Sequence, residues 1–264
     1  MIRAIFFDID GTLVSFSTHR IPASAVDALA QLRRAGIKLF IASGRHPADV
    51  FSVVDFPFDG YIALNGGYCS VGRDELLFRS AIDPEDIERL IEWQQGPEPF
   101  ACVLAGENGL CLNFVDDRVD RVRQLVETGN PAPVVPFEEW CAAARRGVQQ
   151  LIAFFGPEQE PNLMQNVLPN CRSMRWNPLF TDIVPAGVNK AAGIDRLLAR
   201  FGIGLDETMA FGDGGNDIPM LEHVGLAVVM AHAAPEVKQV ADYVTAAVDD
   251  DGIARALRHF GLIE

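Results

Sequence analysis

The chain has 264 residues, of which 49% are hydrophobic and 22% are charged, so it can bury a sizeable core and is too apolar for a disordered chain. Its formal net charge of −14 opposes nucleic-acid binding, which needs a basic surface to displace counterions. No apolar segment is long enough to span a bilayer, and neither a basic start nor a cleavage site follows Met1, so we expect a cytoplasmic protein without a membrane partner. The five cysteines show no CxxC or histidine pairing and are expected to be free thiols.

The first predicted element is a strand that ends in two acidic residues. Residues Ala4 to Phe7 are all apolar, which is typical of a strand buried on both faces in a parallel sheet. Asp8 and Asp10 follow, and because side chains alternate along a strand, both carboxylates should point the same way. Gly11 and Thr12 mark its end. Open parallel sheets bind ligands at the carboxyl ends of their strands, so we predict a site here.

Two more strands of the same kind follow. The predicted elements are a helix over Pro22 to Ala35, a strand over Ile37 to Ala42, a helix over Pro47 to Val54 and a strand over Tyr61 to Leu64. Ser43 and Gly44 lie between a strand and a helix, where a hydroxyl and backbone N–H groups can bind an anion. The same pair is also common in ordinary turns.

The pattern changes after hairpin-like alternation over Val71 to Ala81. The next predicted elements are a helix from Asp83, strands over Phe100 to Leu104 and Leu110 to Phe114, helices over Asp117 to Thr128 and Phe137 to Arg145, a strand over Gln150 to Phe155, a helix over Asn162 to Leu168, and strands over Arg172 to Trp176 and Phe180 to Val184. We therefore predict an α+β module over residues 82–181, inserted in an α/β core made of residues 1–81 and 182–264.

The core pattern returns with a helix over Val188 to Phe201 that carries Lys190 in its first turn. A strand over Thr208 to Phe211 then leads into Gly212-Asp213-Gly214-Gly215-Asn216-Asp217, and further helices and strands complete a βαβ series. Taken alone, Asp213 and Asp217 could be turn and N-cap residues, and Lys190 could be an ordinary solvated lysine.

The order of these motifs resembles that of the haloacid dehalogenase-like (HAD) phosphohydrolases. The series is Asp8-x-Asp10-Gly-Thr-Leu, then Ser43, then Lys190, then Gly212-Asp213-Gly-Gly-Asn-Asp217. The resemblance covers the whole chain, and the insertion looks like that of the Cof-type branch. It implies a Rossmann-like parallel-sheet HAD core with an inserted α+β cap of type IIB that closes over the core.

The residues themselves suggest a reaction. A phosphate monoester is anionic, so its hydrolysis needs a nucleophile, charge neutralisation and protonation of the leaving oxygen. Asp8 is suited to attack phosphorus and form an aspartyl-phosphate, while Asp10 can protonate the leaving oxygen and then activate water. Two neighbouring carboxylates repel each other and the substrate, so a cation is needed, and Mg²⁺ prefers oxygen ligands.

The resemblance also implies roles for single residues. It assigns Asp8, Asp213 and the backbone carbonyl of Asp10 to the magnesium ion, with Asp217 beside it, either through water or in a second layer. Lys190 would supply a fixed positive charge to the nucleophile and the phosphate.

Further residues are expected to act around these groups. Those expected to hold phosphate oxygens or brace their neighbours are Thr12, Ser43, Gly44 and Asn216. Arg45 is expected to be structural. The cap residues predicted to face the substrate are Arg175, Trp176 and Asn177.

The predicted function is therefore a magnesium-dependent phosphatase of small phosphorylated metabolites, in particular sugar phosphates. One alternative is a phosphomutase of the phosphomannomutase type, since that family shares the core, the cap type and the paired aspartates. Another is a non-catalytic binding protein on a HAD core. The sequence indicates neither the metabolite nor the oligomeric state.

Overall fold

The computed structural model of the protein describes residues 1–125 and 131–264. The chain divides into two compact units, of which the first comprises Met1–Phe78 with Asn189–Glu264 and the second comprises Arg79–Val188. The predicted fold class, an α/β parallel-sheet core with an inserted α+β unit, is confirmed.

Strands and helices alternate along most of the described chain. In chain order, the strands are β1 (Ala4–Phe7), β2 (Lys38–Ala42), β3 (Gly60–Ala63), β4 (Tyr68–Val71), β5 (Glu75–Arg79), β6 (Ala101–Gly106), β7 (Gly109–Leu112), β8 (Val148–Phe154), β9 (Cys171–Asn177), β10 (Phe180–Pro185), β11 (Thr208–Gly212), β12 (Ala227–Val229) and β13 (Tyr243–Val244). The helices are α1 (Ala23–Arg34), α2 (Pro47–Val53), α3 (Pro84–Gln94), α4 (Asp117–Leu125), α5 (Phe137–Arg145), α6 (Glu160–Asn166), α7 (Lys190–Phe201), α8 (Ile218–Leu221), α9 (Pro235–Lys238) and α10 (Gly252–His259).

The first unit is built on one sheet with the order β13-β12-β11-β1-β2-β3-β4-β5 among the described residues. From β13 to β3 neighbouring strands run parallel, and β4 pairs antiparallel with β3. Strand β1 is buried on both faces, because Ile5 and Phe7 lie in one hydrophobic cluster and Ala4 and Phe6 lie in another. This explains why its sequence is continuously apolar rather than alternating.

The strand order predicts a ligand-binding crevice at the carboxyl end of β1. The chain proceeds from β1 to β2 and β3 on one side of the sheet, and later returns to β11 and β12 on the other side. In open parallel sheets the carboxyl ends of strands at such a reversal form the binding crevice. Asp8 follows β1 directly and Asp213 follows β11 directly, so the topology brings two distant acidic motifs together.

The second unit contains an antiparallel sheet with the order β7-β6-β8-β10-β9 in the part of the chain that is described. Helices α3 and α5 contribute apolar side chains to one cluster with strands β6 and β8. Trp140 of α5 is completely buried there, and its indole N–H donates to the carbonyl oxygen of Cys102 at 3.1 Å. This burial explains the helical apolar pattern of the module.

The boundaries of the second unit differ from the predicted 82–181. Strand β10 pairs with both β8 and β9, so residues 182–185 belong to the second unit, and that unit ends at Val188. The helix predicted over Asp117 to Thr128 is present from Asp117 as α4, while its predicted end, residues 126–128, lies outside the described residues.

Candidate active site

The nucleophile candidate, Asp8, lies where β1 leaves the hydrophobic core. Its backbone N–H still donates to the carbonyl oxygen of Phe211 at 3.0 Å, so the backbone is fixed by the sheet. The residue is 7% exposed. Beyond it, the N–H groups of Leu13 and Val14 both donate to the carbonyl oxygen of Ile9, and this tight turn ends the strand as the sequence predicted.

Lys190 is the first residue of α7 and is completely buried. Its ammonium donates to Oδ1 of Asp8 at 2.6 Å and to Oδ1 of Asp217 at 2.5 Å. Burial alone would lower the pKa of Lys190, but the carboxylates of Asp217 and Asp8 outweigh it and raise the pKa above the ordinary value. Lys190 is therefore a charged, internal lysine and not a solvated one. Its helix is capped by Asn189, whose Oδ1 accepts from the Ala192 N–H at 2.8 Å.

The loop after β11 is shaped by Asp217, which is also completely buried. Its Oδ2 accepts from the backbone N–H groups of Asp213 at 3.0 Å and Gly214 at 2.9 Å. Its Oδ1 is paired with Lys190. Burial raises the pKa of Asp217, with Lys190 opposing and Asp213 adding to the rise. Because both oxygens have protein partners, Asp217 is well placed to orient the loop and the lysine.

One oxygen from each of Asp8, Asp213 and Asp217 forms a cluster in which these atoms lie within 4.8 Å of one another. Burial raises the pKa of Asp8 well above its usual range; Asp217 adds to the rise, Lys190 opposes it, and Asp213 and Asp10 add to it. The donor set consists of carboxylate oxygens in a partly buried crevice, which is the chemistry that a hard divalent cation such as Mg²⁺ prefers. The residues present therefore fit a magnesium ion.

The carboxylate of Asp10 has a different partner. Arg45 donates to it twice, from Nε to Oδ2 at 2.7 Å and from Nη2 to Oδ1 at 2.5 Å. The Arg45 side chain is 14% exposed and the Asp10 side chain 35%. Burial lowers the pKa of Arg45, but its hydrogen bonds and charge attraction to Asp10 give a net rise. We expected Arg45 to be only structural, whereas the structure places it directly on the acid–base candidate. Its position next to Ser43-Gly44 was the available signal.

The four residues expected near phosphate oxygens all lie around this crevice. Thr12 Oγ1 donates to Oδ1 of Asp213 at 2.6 Å, so Thr12 braces an acid of the cluster. Ser43 Oγ accepts from the Arg45 N–H at 3.1 Å. Gly44 packs against Asn65, and Asn216 Nδ2 donates to Oδ1 of Asn65 at 3.0 Å. Phosphate binding by these four residues stays a prediction.

One neighbour of the cluster, His232, was missed in the sequence analysis. His232 Nε2 lies 3.0 Å from Oδ2 of Asp213, and this hydrogen bond, opposed by burial, raises the pKa of His232. A Cβ atom at Gly11 would lie 2.7 Å from Oδ2 of Asp213 and 2.9 Å from Nε2 of His232, so only glycine permits this arrangement. A lone histidine in a loop carries no spacing signal.

Arg175, one of the predicted cap residues, has its hydrogen-bond partners within the second unit. Arg175 Nε donates to Oε2 of Glu160 at 2.6 Å, and its Nη1 donates to the carbonyl oxygens of Asn177 at 3.2 Å and Phe180 at 3.0 Å. These contacts stabilise the turn between β9 and β10 within the second unit. Substrate contact by Asn177 stays a prediction, and that for the Trp176 side chain lies outside what the structure describes.

Comparison with known proteins agrees with this geometry. The family model of haloacid dehalogenase-like hydrolases matches residues 5–257 of the chain. The chain belongs to the haloacid dehalogenase-like hydrolases. A Bacillus subtilis (strain 168) protein named "Putative phosphatase YkrA" is 33% identical over 264 residues, and the match covers 99% of each protein.

Two solved structures are also similar to this HAD hydrolase. BT4131, a sugar phosphatase of HAD subclass IIB, is 40% identical, with 99% of this chain and 100% of that chain covered and a TM-score of 0.87. BT1666 from Bacteroides thetaiotaomicron, analysed among the phosphatases of this superfamily, is 39% identical, with 100% and 96% covered and a TM-score of 0.89.

These relationships confirm the predicted Cof-type HAD assignment. The chain is a phosphatase of small phosphorylated substrates, so the alternative of a non-catalytic binding protein is set aside. Of the helices in the described residues, none has the length and apolar character needed to cross a membrane.

Proposed function

We propose that this HAD phosphatase is magnesium-dependent and hydrolyses sugar phosphates through an aspartyl-phosphate on Asp8. The observation that carries the proposal is the completely buried Lys190, which is paired with Asp8 and Asp217 beside the acidic cluster. A lysine that only stabilised the fold would not need two carboxylate partners and a third acid, Asp213, at the carboxyl ends of the strands.

In the first step, one carboxylate oxygen of Asp8 attacks phosphorus while the bond from phosphorus to the leaving oxygen breaks. The leaving alkoxide takes the proton of Asp10, so the products of this step are a free alcohol and Asp8 as a mixed anhydride with phosphate. Lys190, held against Asp8 at 2.6 Å, orients the nucleophile and offsets the charge of the approaching phosphate.

In the second step, water attacks the same phosphorus and transfers a proton to the Asp10 carboxylate. The bond from phosphorus to Asp8 breaks, so inorganic phosphate leaves and both aspartates return to their starting forms. Arg45 donates to both oxygens of Asp10, which holds this carboxyl group in a fixed orientation for the proton transfer. For the first step, the proton occupies a lone pair of Asp10 that Arg45 does not use, because each carboxyl oxygen has two.

The residues that would hold the magnesium ion are Asp8 and Asp213, with the backbone carbonyl of Asp10 as a third protein ligand. Asp217 would orient the loop instead, because its partners are the Lys190 ammonium and two backbone N–H groups of that loop. When bound, the ion neutralises charge on the phosphate and on the acids. Thr12 and His232 fix the two oxygens of Asp213, as supporting residues commonly do for metal ligands.

The proposal of a sugar phosphate substrate is supported by the likeness to BT4131. The test is to incubate purified protein and magnesium with a panel of sugar phosphates, nucleotides and other small phosphate esters, and to measure released phosphate. We expect the highest kcat/KM among the sugar phosphates. A clear preference for another class would refute this part of the proposal.

The nucleophile is tested with Asp8→Asn, because the amide has nearly the same shape and is a poor nucleophile. We expect turnover to be lost and the fold retained, with Asp27→Asn on the exposed face of α1 as the control that keeps wild-type turnover. Comparable activity in Asp8→Asn would refute the mechanism. The mutase alternative predicts instead that turnover requires added bisphosphate and releases little free phosphate.

A further inference from the structure

The three residues that follow β3 have an unusual backbone. Leu64, Asn65 and Gly66 all have positive φ angles, of 50°, 52° and 102°. Glycine adopts such angles freely and asparagine does so more often than most residues, whereas a leucine rarely does. Strained backbone of this kind persists only where its surroundings determine it, and it is concentrated at functional sites. We call these residues the 64–66 loop.

The backbone of the 64–66 loop is hydrogen-bonded to the turn that contains Gly44. The Leu64 N–H donates to the carbonyl oxygen of Arg45 at 3.0 Å, and the Asn65 N–H donates to that of Ser43 at 3.0 Å. These two bonds lie on either side of Gly44. Two successive N–H groups of the loop therefore bond the carbonyls on both sides of Gly44, and these bonds hold the turn in position.

The side chain of Asn65 extends the same contact to a second segment. The residue is completely buried, and its Oδ1 accepts from Nδ2 of Asn216 at 3.0 Å. A Cβ atom at Gly44 would lie 3.0 Å from Nδ2 of Asn65 and 3.2 Å from its Oδ1, so the amide packs directly against the Gly44 backbone. One side chain thus joins the Gly44 turn to the loop after β11.

Gly66 brings the loop against a third segment. A Cβ atom at this position would lie 2.1 Å from the backbone carbonyl oxygen of Asn189, which is a distance that no side chain permits. Asn189 caps α7 and immediately precedes Lys190. The 64–66 loop therefore contacts the Gly44 turn, the loop that contains Asn216 and the start of the lysine helix.

We propose that Asn65 is a positioning residue for phosphate binding, and that the 64–66 loop sets the distances between the groups that receive the phosphoryl oxygens. This inference rests on the proposed function, since it assumes that Gly44, Asn216 and Lys190 face the phosphate. Phosphoryl transfer depends chiefly on fixed donors and charges, so a residue that sets their spacing affects binding without touching the substrate. A turn alone does not require a buried amide here, because glycine could adopt the same backbone angles.

The test uses Asn65→Gly, which tolerates the positive φ angle and removes the amide. With 4-nitrophenyl phosphate as substrate, the inhibition constant of inorganic phosphate and KM should both rise by at least about tenfold, because small misplacements of binding groups weaken the oriented complex. The same measurements on Asn216→Ala and on the double variant should show effects that do not add, because both substitutions remove the same contact.

The control is Asn113→Gly in the second unit. Asn113 is also buried, its Oδ1 accepts from the Cys102 N–H at 2.8 Å and its Nδ2 donates to the Phe100 carbonyl at 3.1 Å. This substitution should lower the urea midpoint of unfolding and leave inhibition by phosphate unchanged. If Asn65→Gly behaves in the same way, the loop is only structural and the inference is overturned.

A second variant covers the case in which Asn65→Gly does not fold. Asn65→Asp keeps the shape, the tolerance for positive φ and the acceptor for Asn216, and it places an acidic oxygen against Gly44. Phosphate inhibition should again weaken, and wild-type inhibition would overturn the inference. If the wild-type protein itself is not inhibited by phosphate and hydrolyses no phosphate ester, the proposed function fails and this inference fails with it. An active wild type with an unaffected Asn65 variant refutes only the positioning role.

Discussion

The buried ion pairs of Lys190 make a quantitative prediction for Lys190→Met. The ammonium lies 2.6 Å from Oδ1 of Asp8, a separation at which Coulomb attraction amounts to roughly 6 kcal/mol at an effective dielectric constant of about 20. Desolvation of the buried charges offsets much of that attraction. Removing one partner leaves Asp8 and Asp217 as uncompensated buried charges, which typically costs about 3–5 kcal/mol. We expect the free energy of unfolding to fall by that amount.

The measurement is urea unfolding followed by circular dichroism, with excess chelator in every sample so that no cation replaces the lysine charge. A temperature scan of the same samples should show the same loss: for a chain of this size the thermal midpoint should fall by roughly 6–20 °C, at about 2–4 °C per kcal/mol. The double variant Lys190→Met/Asp217→Asn removes one of the stranded charges, so it should recover part of the lost stability. Its phosphatase activity should stay low, because the positive charge beside Asp8 is still missing.

These two readouts separate stability from catalysis. A Lys190→Met protein as stable as wild type in chelator would refute the argument from buried charge. No recovery of stability in the double variant would show that packing, rather than electrostatics, accounts for the loss. Recovery of activity together with stability would show that Lys190 has no role in the reaction.

Four further predictions concern other groups. Asp10→Asn should reduce kcat by about 10²–10⁴ for a sugar phosphate and by less for 4-nitrophenyl phosphate, whose leaving group needs no acid; equal losses in steady-state assays would contradict acid catalysis. Arg45→Met should reduce kcat as well, and adding it to Asp10→Asn should cause little further loss, because Arg45 acts through Asp10; additive losses would contradict this. Chelation should stop turnover and added Mg²⁺ should restore it, and Asp213→Ala should respond poorly to Mg²⁺; full turnover in excess chelator would contradict the magnesium requirement. Burial raises the pKa of the Cys69 thiol to about 12, so at pH 8 iodoacetamide should label it only after unfolding; rapid labelling of the folded protein, seen by mass spectrometry, would contradict its burial.

Most strands and helices of the core could be predicted because each has a strong local pattern. Ala4 to Phe7 reads as a strand buried on both faces, and the structure places alternate residues in separate clusters. Helix α5 has the predicted bounds, Phe137–Arg145. The end of the inserted unit was less predictable, because it depends on the pairing of β10 with β8, which lies earlier in the chain than α6 and β9. Strand pairing, unlike strand formation, has little local signal.

The acids and the lysine of the site could also be predicted, since the topology brings the ends of neighbouring parallel strands together. The partners of those groups could not. Arg45 binds Asp10 across 35 residues and His232 binds Asp213 across 19, and neither contact follows from a spacing rule. Nor does the pattern Asn65-Gly66 distinguish an ordinary turn from a strained loop, because both use the same residues.

The charges of the crevice explain why so many acids can coexist there. The carboxylates of Asp8, Asp10, Asp213 and Asp217 carry four negative charges when ionised, and Lys190 and Arg45 return two positive charges. With the His232 imidazole counted as neutral, the remaining two negative charges match one divalent cation. The two protein cations are already paired with individual acids, so a dianionic phosphate that approaches Asp8 meets a net repulsion unless such a cation is bound. The same imbalance contributes to the raised pKa values of Asp8 and Asp217, to which burial contributes most. We infer that these like charges are kept together to bind a cation rather than to stabilise the fold. Lys190 is already neutralised by Asp8 and Asp217, so stability alone gives no reason for a third acid, Asp213, in the same cluster.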